Sequence, residues 1–493
     1  MLFEVRPPNA SDLIVRGLDV WDVDGDRALV LAFDGDAPGL RAAGYALVEV
    51  RRFPGGSRGA LGAAFGPGAY RGNDAAQSEL RAIASAHPAL VTLHDLGPSF
   101  EGRRLTAAKV TSALGGTAKP AALYLSAYHA REVVTPELAL RTLRLFAEAY
   151  GRDPLITHLL DTRELWIVPL VNPDGYARVE AGAEWWRKNA NPTASCGPSP
   201  GLLVNPRHPG VDLNRNHAYA WNAGGGAGTD PCDETYQGPS AASELETQAV
   251  QHLVQSTGAT VLISWHSYGN LVLWPPTSRA DPQPADPVLG DLGGRLARLT
   301  GYRGGTGGQT LYLTTGELTE WAWYVRRVAA FTIEVGAYAD GAGGNPFAPP
   351  YGTVDRYWAE NQPAALYLAR VADNPGRASA PDVEALSASL PFGAPTAMVA
   401  GSLSPGAAGP AAAAELFLDA PGAEGSGLPG QLEAGGTRVV WSVPVAGLAP
   451  GRHAAWVRAR ATSPPWGPLN ATTVLVGRQL LSFPVLTRAG GLN

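Results

Sequence analysis

The chain reads as an α/β domain with helices on both faces of a sheet, preceded by a small α+β unit and followed by an immunoglobulin-like β-sandwich. Three observations predict this arrangement. Between residues 74 and 374, short apolar segments rich in β-branched and aromatic residues alternate with segments of helical spacing. Residues 1–52 carry strand-like runs around one short helical stretch. Beyond Asn374 the helical period disappears, and strand-like runs separated by turns continue for about 100 residues, the size of one sandwich. A length of 493 residues agrees with roughly two to four domains.

The elements follow in order. In the first unit, LIVRGLDVWDV and RALVLAF predict strands joined by an Asp-Gly-Asp turn at 24–26, APGLRAAG a short helix, and YALVEVRRF a further strand. The small, Gly-rich segment PGGSRGALGAAFGPGAYRG predicts a linker over 53–73. In the central unit, LYLSAY, ELWIVPLV, TVLISWH and AFTIEV predict buried strands. Residues 136–150, 243–256 and 355–371 predict helices, the first opening on Thr135 as N-cap with Pro136 in the first turn. NPGRASAPDVEALSASLPFGAP predicts a second linker, over 375–396. AELFLDAP, TRVVWSVPV, GRHAAWVRARA and ATTVLVG predict strands of the last unit, which with its tail occupies 397–493.

Composition excludes several classes of partner. The net charge is only −6 and no basic run of five or six residues occurs, which argues against nucleic acid. No apolar stretch reaches the roughly 20 residues that span a bilayer. The start, MLFEVRPPNASDL, lacks the charged and apolar regions of a secretory signal, so either the protein stays in the cell or a signal has been removed. The two cysteines, Cys196 and Cys232, lie in loop-like sequence, and arithmetic alone leaves both free thiols and a disulfide open.

The chemistry begins at SAYHAREVV. His129 and Glu132 stand two residues apart after a strand and before a helix, where one turn can aim an imidazole and a carboxylate at one point. Such a pair occurs by chance in many proteins and needs a third ligand. Of the nine histidines, His266 differs from the rest because it ends the strand TVLISWH, where a strand hands its last side chain to the crevice at the sheet's carboxyl edge. Three protein ligands plus water is the pattern of a catalytic zinc site.

HAREVVTPE, VNPDGY, EWWRKN, GVDLNRN, ETYQGPSAASELET, SWHSYGNLVLWP, and TLYLTTGELTEW with FTIEVG stand in the order found in zinc carboxypeptidases of the pancreatic carboxypeptidase A and B type. GPSFEGR at 97–103 is similar to another segment of that family. The resemblance covers about 74 to 374. It implies an α/β/α sandwich on a mixed, mostly parallel sheet, one Zn2+ per chain, and peptide or protein C-termini as substrate.

Residue by residue, the resemblance makes His129, Glu132 and His266 the zinc ligands and Glu334 the catalytic carboxylate. It makes Arg187 the group that polarises the scissile carbonyl, and Asn214 and Arg215 the pair that binds the substrate's terminal carboxylate. Tyr312 becomes the tyrosine that closes over substrate, Asp212 the carboxylate behind His129, and Arg131 and Tyr268 outer-subsite residues. The residue types suit the roles: zinc activates water, Glu334 can carry its proton, Arg187 can face a developing oxyanion, and the planar fork of Arg215 suits a carboxylate.

The same resemblance implies a Cys196–Cys232 disulfide and hence a secreted or periplasmic protein. Five and seven places beyond Tyr312 it puts Glu317 and Thr319 at the pocket for the C-terminal side chain. This pattern is closest to bacterial carboxypeptidase T, which accepts apolar and basic residues; the alternative is that Glu317 faces solvent. Two further readings keep the scaffold: hydrolysis of cell-wall peptides on the same zinc site, and a non-catalytic peptide-binding protein. The N-terminal unit is either an inhibitory pro-segment removable at the 53–72 linker or a small domain that only packs, and the C-terminal unit is expected to be non-catalytic.

Overall fold

The computed structural model describes residues 1–16, 18–32, 36–51, 65–66, 68–116, 118–192, 196, 208–341, 345–391, 393–433 and 435–477. They separate into two compact units, 1–379 and 380–493. The first holds both the N-terminal elements and the α/β body.

The N-terminal elements are β1 (Leu2–Arg6), α1 (Ala10–Val15), β2 (Asp19–Asp24), β3 (Arg27–Leu31), α2 (Asp36–Ala42) and β4 (Ala46–Arg51). They form an antiparallel sheet of order β2-β3-β1-β4. Two expectations change here. The run LIV of the predicted first strand lies in α1, because Asn9 caps the helix by accepting from the Asp12 amide and Leu13 and Ile14 bury against the sheet. The opening residues form β1, a central strand of that sheet that the sequence reading did not predict. The predicted linker falls mostly outside the described residues.

The α/β body begins with α3 (Asn73–Ala86), β5 (Val91–Pro98), β6 (Arg104–Val110), β7 (Ala121–Leu125), α4 (Thr135–Ala149), α5 (Pro154–Thr162), β8 (Glu164–Val168) and α6 (Pro173–Glu180). It continues through α7 (Leu245–Ser256), β9 (Ala259–His266), β10 (Leu271–Trp274), α8 (Pro287–Thr300), β11 (Arg303–Thr306) and α9 (Gly307–Thr310). It closes with α10 (Leu318–Arg326), β12 (Ala329–Glu334) and α11 (Val354–Arg370). The eight strands form one mixed sheet of order β11-β10-β12-β9-β7-β8-β6-β5. The β11/β10, β12/β9, β9/β7 and β7/β8 pairs are parallel and the other three antiparallel. Leu123, Leu125, Val168 and Leu262 from the middle strands meet Val250 of α7 and Trp321 of α10 in one buried core. The helix after the His129–Glu132 turn starts at Thr135, one residue earlier than expected. Thr135 is not its cap; its hydroxyl donates to the Glu132 carbonyl and accepts from the Ala127 amide, bracing the turn.

The second unit pairs two antiparallel four-stranded sheets. One has the order β13 (Asp382–Ser389), β14 (Thr396–Ser404), β18 (Arg438–Pro444), β17 (Gln431–Leu432). The other has the order β16 (Leu428–Pro429), β15 (Ala413–Leu418), β19 (Gly451–Arg460), β20 (Asn470–Val476). Val383, Val399, Leu416, Trp441 and Val457 fill a shared core, so this is a β-sandwich. Strand β13 lies inside the predicted second linker: Asp382 and Val383 are buried and the strand pairs with β14, although its sequence is rich in small residues.

Candidate active site

Three neighbouring parallel strands place the chemistry. Strand β7 leads into the turn bearing His129 and Glu132, β9 ends on His266, and β12 ends on Glu334. In the β12/β9 register Glu334 sits directly beside His266, and the Val335 amide donates to the His266 carbonyl at 2.8 Å. The site therefore lies at the carboxyl ends of adjacent parallel strands, the usual crevice of an open α/β sheet.

Among the described residues, His129, Glu132 and His266 form the one cluster able to hold a metal ion, with a ligand atom from each within 4.8 Å of the others. His129 Nδ1 lies 2.7 Å from Glu132 Oε1 and 3.1 Å from His266 Nδ1. Glu132 Oε2, 3.1 Å from His266 Nδ1, is buried without a hydrogen bond. The outward nitrogens explain the inward ones. His129 Nε2 is 3.3 Å from Asp212 Oδ1, which can only accept, so the proton of the neutral ring sits there and Nδ1 keeps its lone pair. His266 Nε2 faces the Ser264 hydroxyl at 3.1 Å. Burial opposes charge on both rings; on His266 the Glu132 carboxylate outweighs it and raises the pKa, a pull that a cation in the cluster would answer instead of a proton. Two imidazoles and one carboxylate, buried and convergent, fit zinc.

Asp212 joins this cluster to the next group. Its Oδ1 accepts from the Asn214 amide at 2.9 Å, and its Oδ2 accepts from Arg187 Nε and Nη2 at 2.9 and 2.8 Å. Burial opposes ionisation of Asp212, but Arg187, Arg215 and His129 hold its pKa well below the usual carboxylate range. Behind it, Asn189 accepts from the Val211 amide and donates to Glu244 at 2.7 Å and to Glu246 at 3.4 Å. Burial lifts Glu246 to about 7.

His129, Glu132, Arg131, Arg187, Asn214, Arg215, Tyr268, Tyr312, Glu317 and Glu334 share one cleft; Asp212, His266 and Thr319 sit behind its wall. Burial raises Glu334 to about 8; Glu132 pushes the same way, and His266, Arg187 and Arg215 pull against it. Arg215 donates Nη1 to the Asn214 carbonyl at 2.8 Å, and its buried Nε has no hydrogen bond. Gly316 presses its backbone onto Arg215: its φ is +67°, and a Cβ there would lie 2.1 Å from the Arg215 carbonyl oxygen, so only glycine fits. Glu317 is buried rather than solvent-facing. It caps α10, its Oε2 accepting from the Thr319 and Glu320 amides and the Thr319 hydroxyl, while Oε1 faces Thr332 and Asn214.

Several residues at the cleft went unrecognised in the sequence. Val20 and Trp21, on β2 of the N-terminal unit, line it. Asp19 beside them grips the Arg131 guanidinium with two bonds of 2.6 and 3.0 Å, and the Trp21 indole donates to Asp19. Burial opposes ionisation of Asp19, yet Arg131 outweighs it and lowers its pKa. Trp21 stacks on Trp185 and meets Tyr268 and Phe347 edge-on, and Tyr312 packs against the N-terminal core. Only a short D-x-W run in a predicted strand could have signalled these contacts. Cys196 and Cys232 are disulfide-bonded. No helix among the described residues is long and apolar enough to cross a membrane.

Comparison with known proteins agrees with this geometry. A zinc carboxypeptidase family model matches residues 76–364. A zinc carboxypeptidase from Saccharothrix mutabilis subsp. capreolus is 30% identical over 367 residues, covering 68% of this chain and 81% of that one. Carboxypeptidase A2 from Mus musculus is 32% identical over 284 residues, covering 56% of this chain and 64% of its own length. Two solved structures share the fold. Thrombin activatable fibrinolysis inhibitor matches with TM-score 0.60 and 22% identity, over 76% of this chain and 98% of that one. Carboxypeptidase A from Helicoverpa armigera matches with TM-score 0.61 and 21% identity, over 75% and 96%. With the family model spanning more than half of its length, and the three ligands converging inside that span, the chain belongs to the zinc carboxypeptidase family.

Proposed function

We propose that the chain removes single residues from the C-termini of peptides and proteins. Arg215 carries this reading: a buried guanidinium faces the cleft beside the metal cluster with no carboxylate paired to it in any ion pair of the described residues. A planar fork of this kind suits the free carboxylate of a peptide end, with Asn214 beside it. A zinc ion held by His129, Glu132 and His266 would supply Lewis-acid polarisation of the scissile carbonyl and a water of lowered pKa. Glu334 then takes a proton from the attacking water and delivers it to the leaving amine. Arg187, fixed by Asp212, donates to the developing oxyanion. Asp212 also keeps the proton of His129 on Nε2. Tyr312 closes over the bound end, and Arg131 and Tyr268 hold residues further upstream.

Glu317 and Thr319 shape the pocket for the terminal side chain, with Glu317 as its carboxylate and Thr319 bracing it. We infer acceptance of apolar and basic terminal residues. The disulfide favours an extracytoplasmic site of action. The N-terminal unit acts as an inhibitory lid: Asp19 occupies Arg131, and Val20 and Trp21 line the cleft. The sandwich is a non-catalytic module. The test is release of C-terminal residues from a mixed peptide pool, with and without chelator, before and after proteolysis within 53–72. Arg215→Ala is expected to erase the preference for free over amidated peptides. Release that survives chelation, or an unchanged preference in that variant, overturns the reading.

A further inference from the structure

Arg131 has more neighbours than Asp19. Its Nη1 lies 4.0 Å from Glu234 Oε2, its guanidinium lies over the Phe347 ring at 4.2 Å, and its buried Nε has no hydrogen bond. Glu234 is the less settled of the two acids. Its side chain is only 9% exposed, and neither carboxylate oxygen has a hydrogen bond among the described residues. Besides Arg131 it faces His208, whose Nδ1 is 3.6 Å from its Oε1 and is likewise buried without a hydrogen bond. Lys188 holds the backbone just before it, donating to the carbonyls of Pro231 and Asp233 at 2.9 and 2.8 Å.

A buried carboxylate with no donor is costly, so Glu234 calls for a partner. Here that partner is within reach but engaged: both terminal nitrogens of Arg131 are committed to Asp19. Asp19 belongs to the N-terminal unit and leaves with it, whereas Glu234 is anchored in the α/β body by Lys188 and by the Cys196–Cys232 bond two residues away.

We propose that Glu234 is the stand-by counter-ion of Arg131: when Asp19 departs, Glu234 takes the freed guanidinium and holds it in place for upstream substrate residues. Glu234 is thus a positioning residue acting through Arg131. Before departure it competes with Asp19 and loosens the lid. The proposal rests on the N-terminal unit being a lid, and the experiment separates the two ideas.

The zinc-loaded full chain is compared as wild type, Asp19→Asn, Glu234→Gln, Glu234→Asp and the Asp19→Asn/Glu234→Gln double variant. In the single Glu234→Gln variant, amide hydrogen exchange across β2 is expected to slow several-fold, because Asp19 no longer has a rival; in Asp19→Asn it is expected to quicken. In the open Asp19→Asn background, adding Glu234→Gln is expected to raise KM for a blocked tetrapeptide by about fivefold while leaving kcat and the KM of a blocked dipeptide unchanged. Glu234→Asp, which keeps the charge, is expected to restore most of that KM. If β2 exchange and tetrapeptide KM ignore Glu234 while Asp19→Asn opens the cleft, the counter-ion role is wrong and the lid stands. If Asp19→Asn changes neither exchange nor activity, the lid itself is wrong. If Glu234→Gln fails to fold, Glu234→Ala takes its place with the same two readouts: slower β2 exchange and a raised tetrapeptide KM in the Asp19→Asn background support the role, and no change in either overturns it.

Discussion

Two buried arginines face the same cleft and are held in different ways. Arg187 is fixed by Asp212, which also steadies His129 and accepts from the Asn214 amide, so four groups of the α/β body satisfy one another. Arg131 is fixed by Asp19, which arrives from a separate sheet, while Glu234 of the body lies 4.0 Å from it and makes no hydrogen bond among the described residues. The floor of the site is complete in itself, while its upstream wall is completed from outside. A cleft built this way keeps its reacting groups in position whether or not it is covered, and confines the effect of covering to access and to substrate residues beyond the scissile bond.

The sharpest way to break this comparison is at the floor. Glu334→Gln is expected to keep zinc and peptide binding and lose about 10²- to 10⁴-fold in turnover, since an amide cannot accept the proton. Metal content and single-turnover rates on one preparation check both halves, and near wild-type turnover removes Glu334 from its role. Next in size, Asp212→Asn is expected to lower metal affinity about 10- to 100-fold, because the amide can present a donor to His129 Nε2 and releases Arg187. Asp19→Asn should act in the opposite sense, raising activity of the uncut chain with metal affinity unchanged. Equal effects of the two substitutions on metal affinity would erase the distinction between floor and wall.

A smaller effect is expected at Glu317. Its Oε2 is filled by the α10 cap and the Thr319 hydroxyl, so only Oε1 is left to meet a basic side chain. Glu317→Gln should therefore cut kcat/KM for terminal Lys or Arg by about tenfold, an energy near one charge-assisted hydrogen bond, and spare Leu and Phe. Equal losses on both classes would place Glu317 in the helix cap alone.

The last prediction concerns stability. Glu246 has a folded pKa of about 7 against an ordinary 4.5, because burial disfavours its charge. The folded chain keeps this proton after the unfolded chain has lost it, so the contribution of Glu246 to stability is fullest below about 4.5 and falls as pH rises towards 7. Glu246→Gln, which mimics the protonated acid, should be neutral at pH 4 and stabilising by up to about 3 kcal/mol at pH 8. Urea midpoints at both pH values check the sign, and a variant less stable at pH 8 would show that the charge is compensated.

Much of this was legible because the cleft floor is built from strand ends. A strand reveals itself by an apolar run, and the residue that ends it is then placed, as His266 is by TVLISWH; Glu334 was singled out through the resemblance, and the strand AFTIE ends on it. The upstream wall has no such marker. Asp19 and Arg131 are 112 residues apart and meet through the docking of one sheet on another, which no local period encodes. Glu234 lies in a segment whose resemblance is plain, but its lack of hydrogen bonds is a property of packing alone. The same limit produced the local misreadings. In LIV a capping asparagine and tertiary burial outweighed β propensity, and in β13 the partner strand supplied an order that small residues do not announce.

The side-by-side register of Glu334 and His266 has a thermal consequence. Their separation is set by the backbone ladder between β12 and β9, with the Val335 amide locked to the His266 carbonyl, and not by the fit of two side chains. Central strands of a sheet open only with the whole structure, whereas a docked unit can detach earlier. On warming, the proposed lid is expected to come away first, so the uncut chain is expected to gain activity over a range of temperature below melting of the sheet. Above that range inactivation should coincide with melting of the sheet.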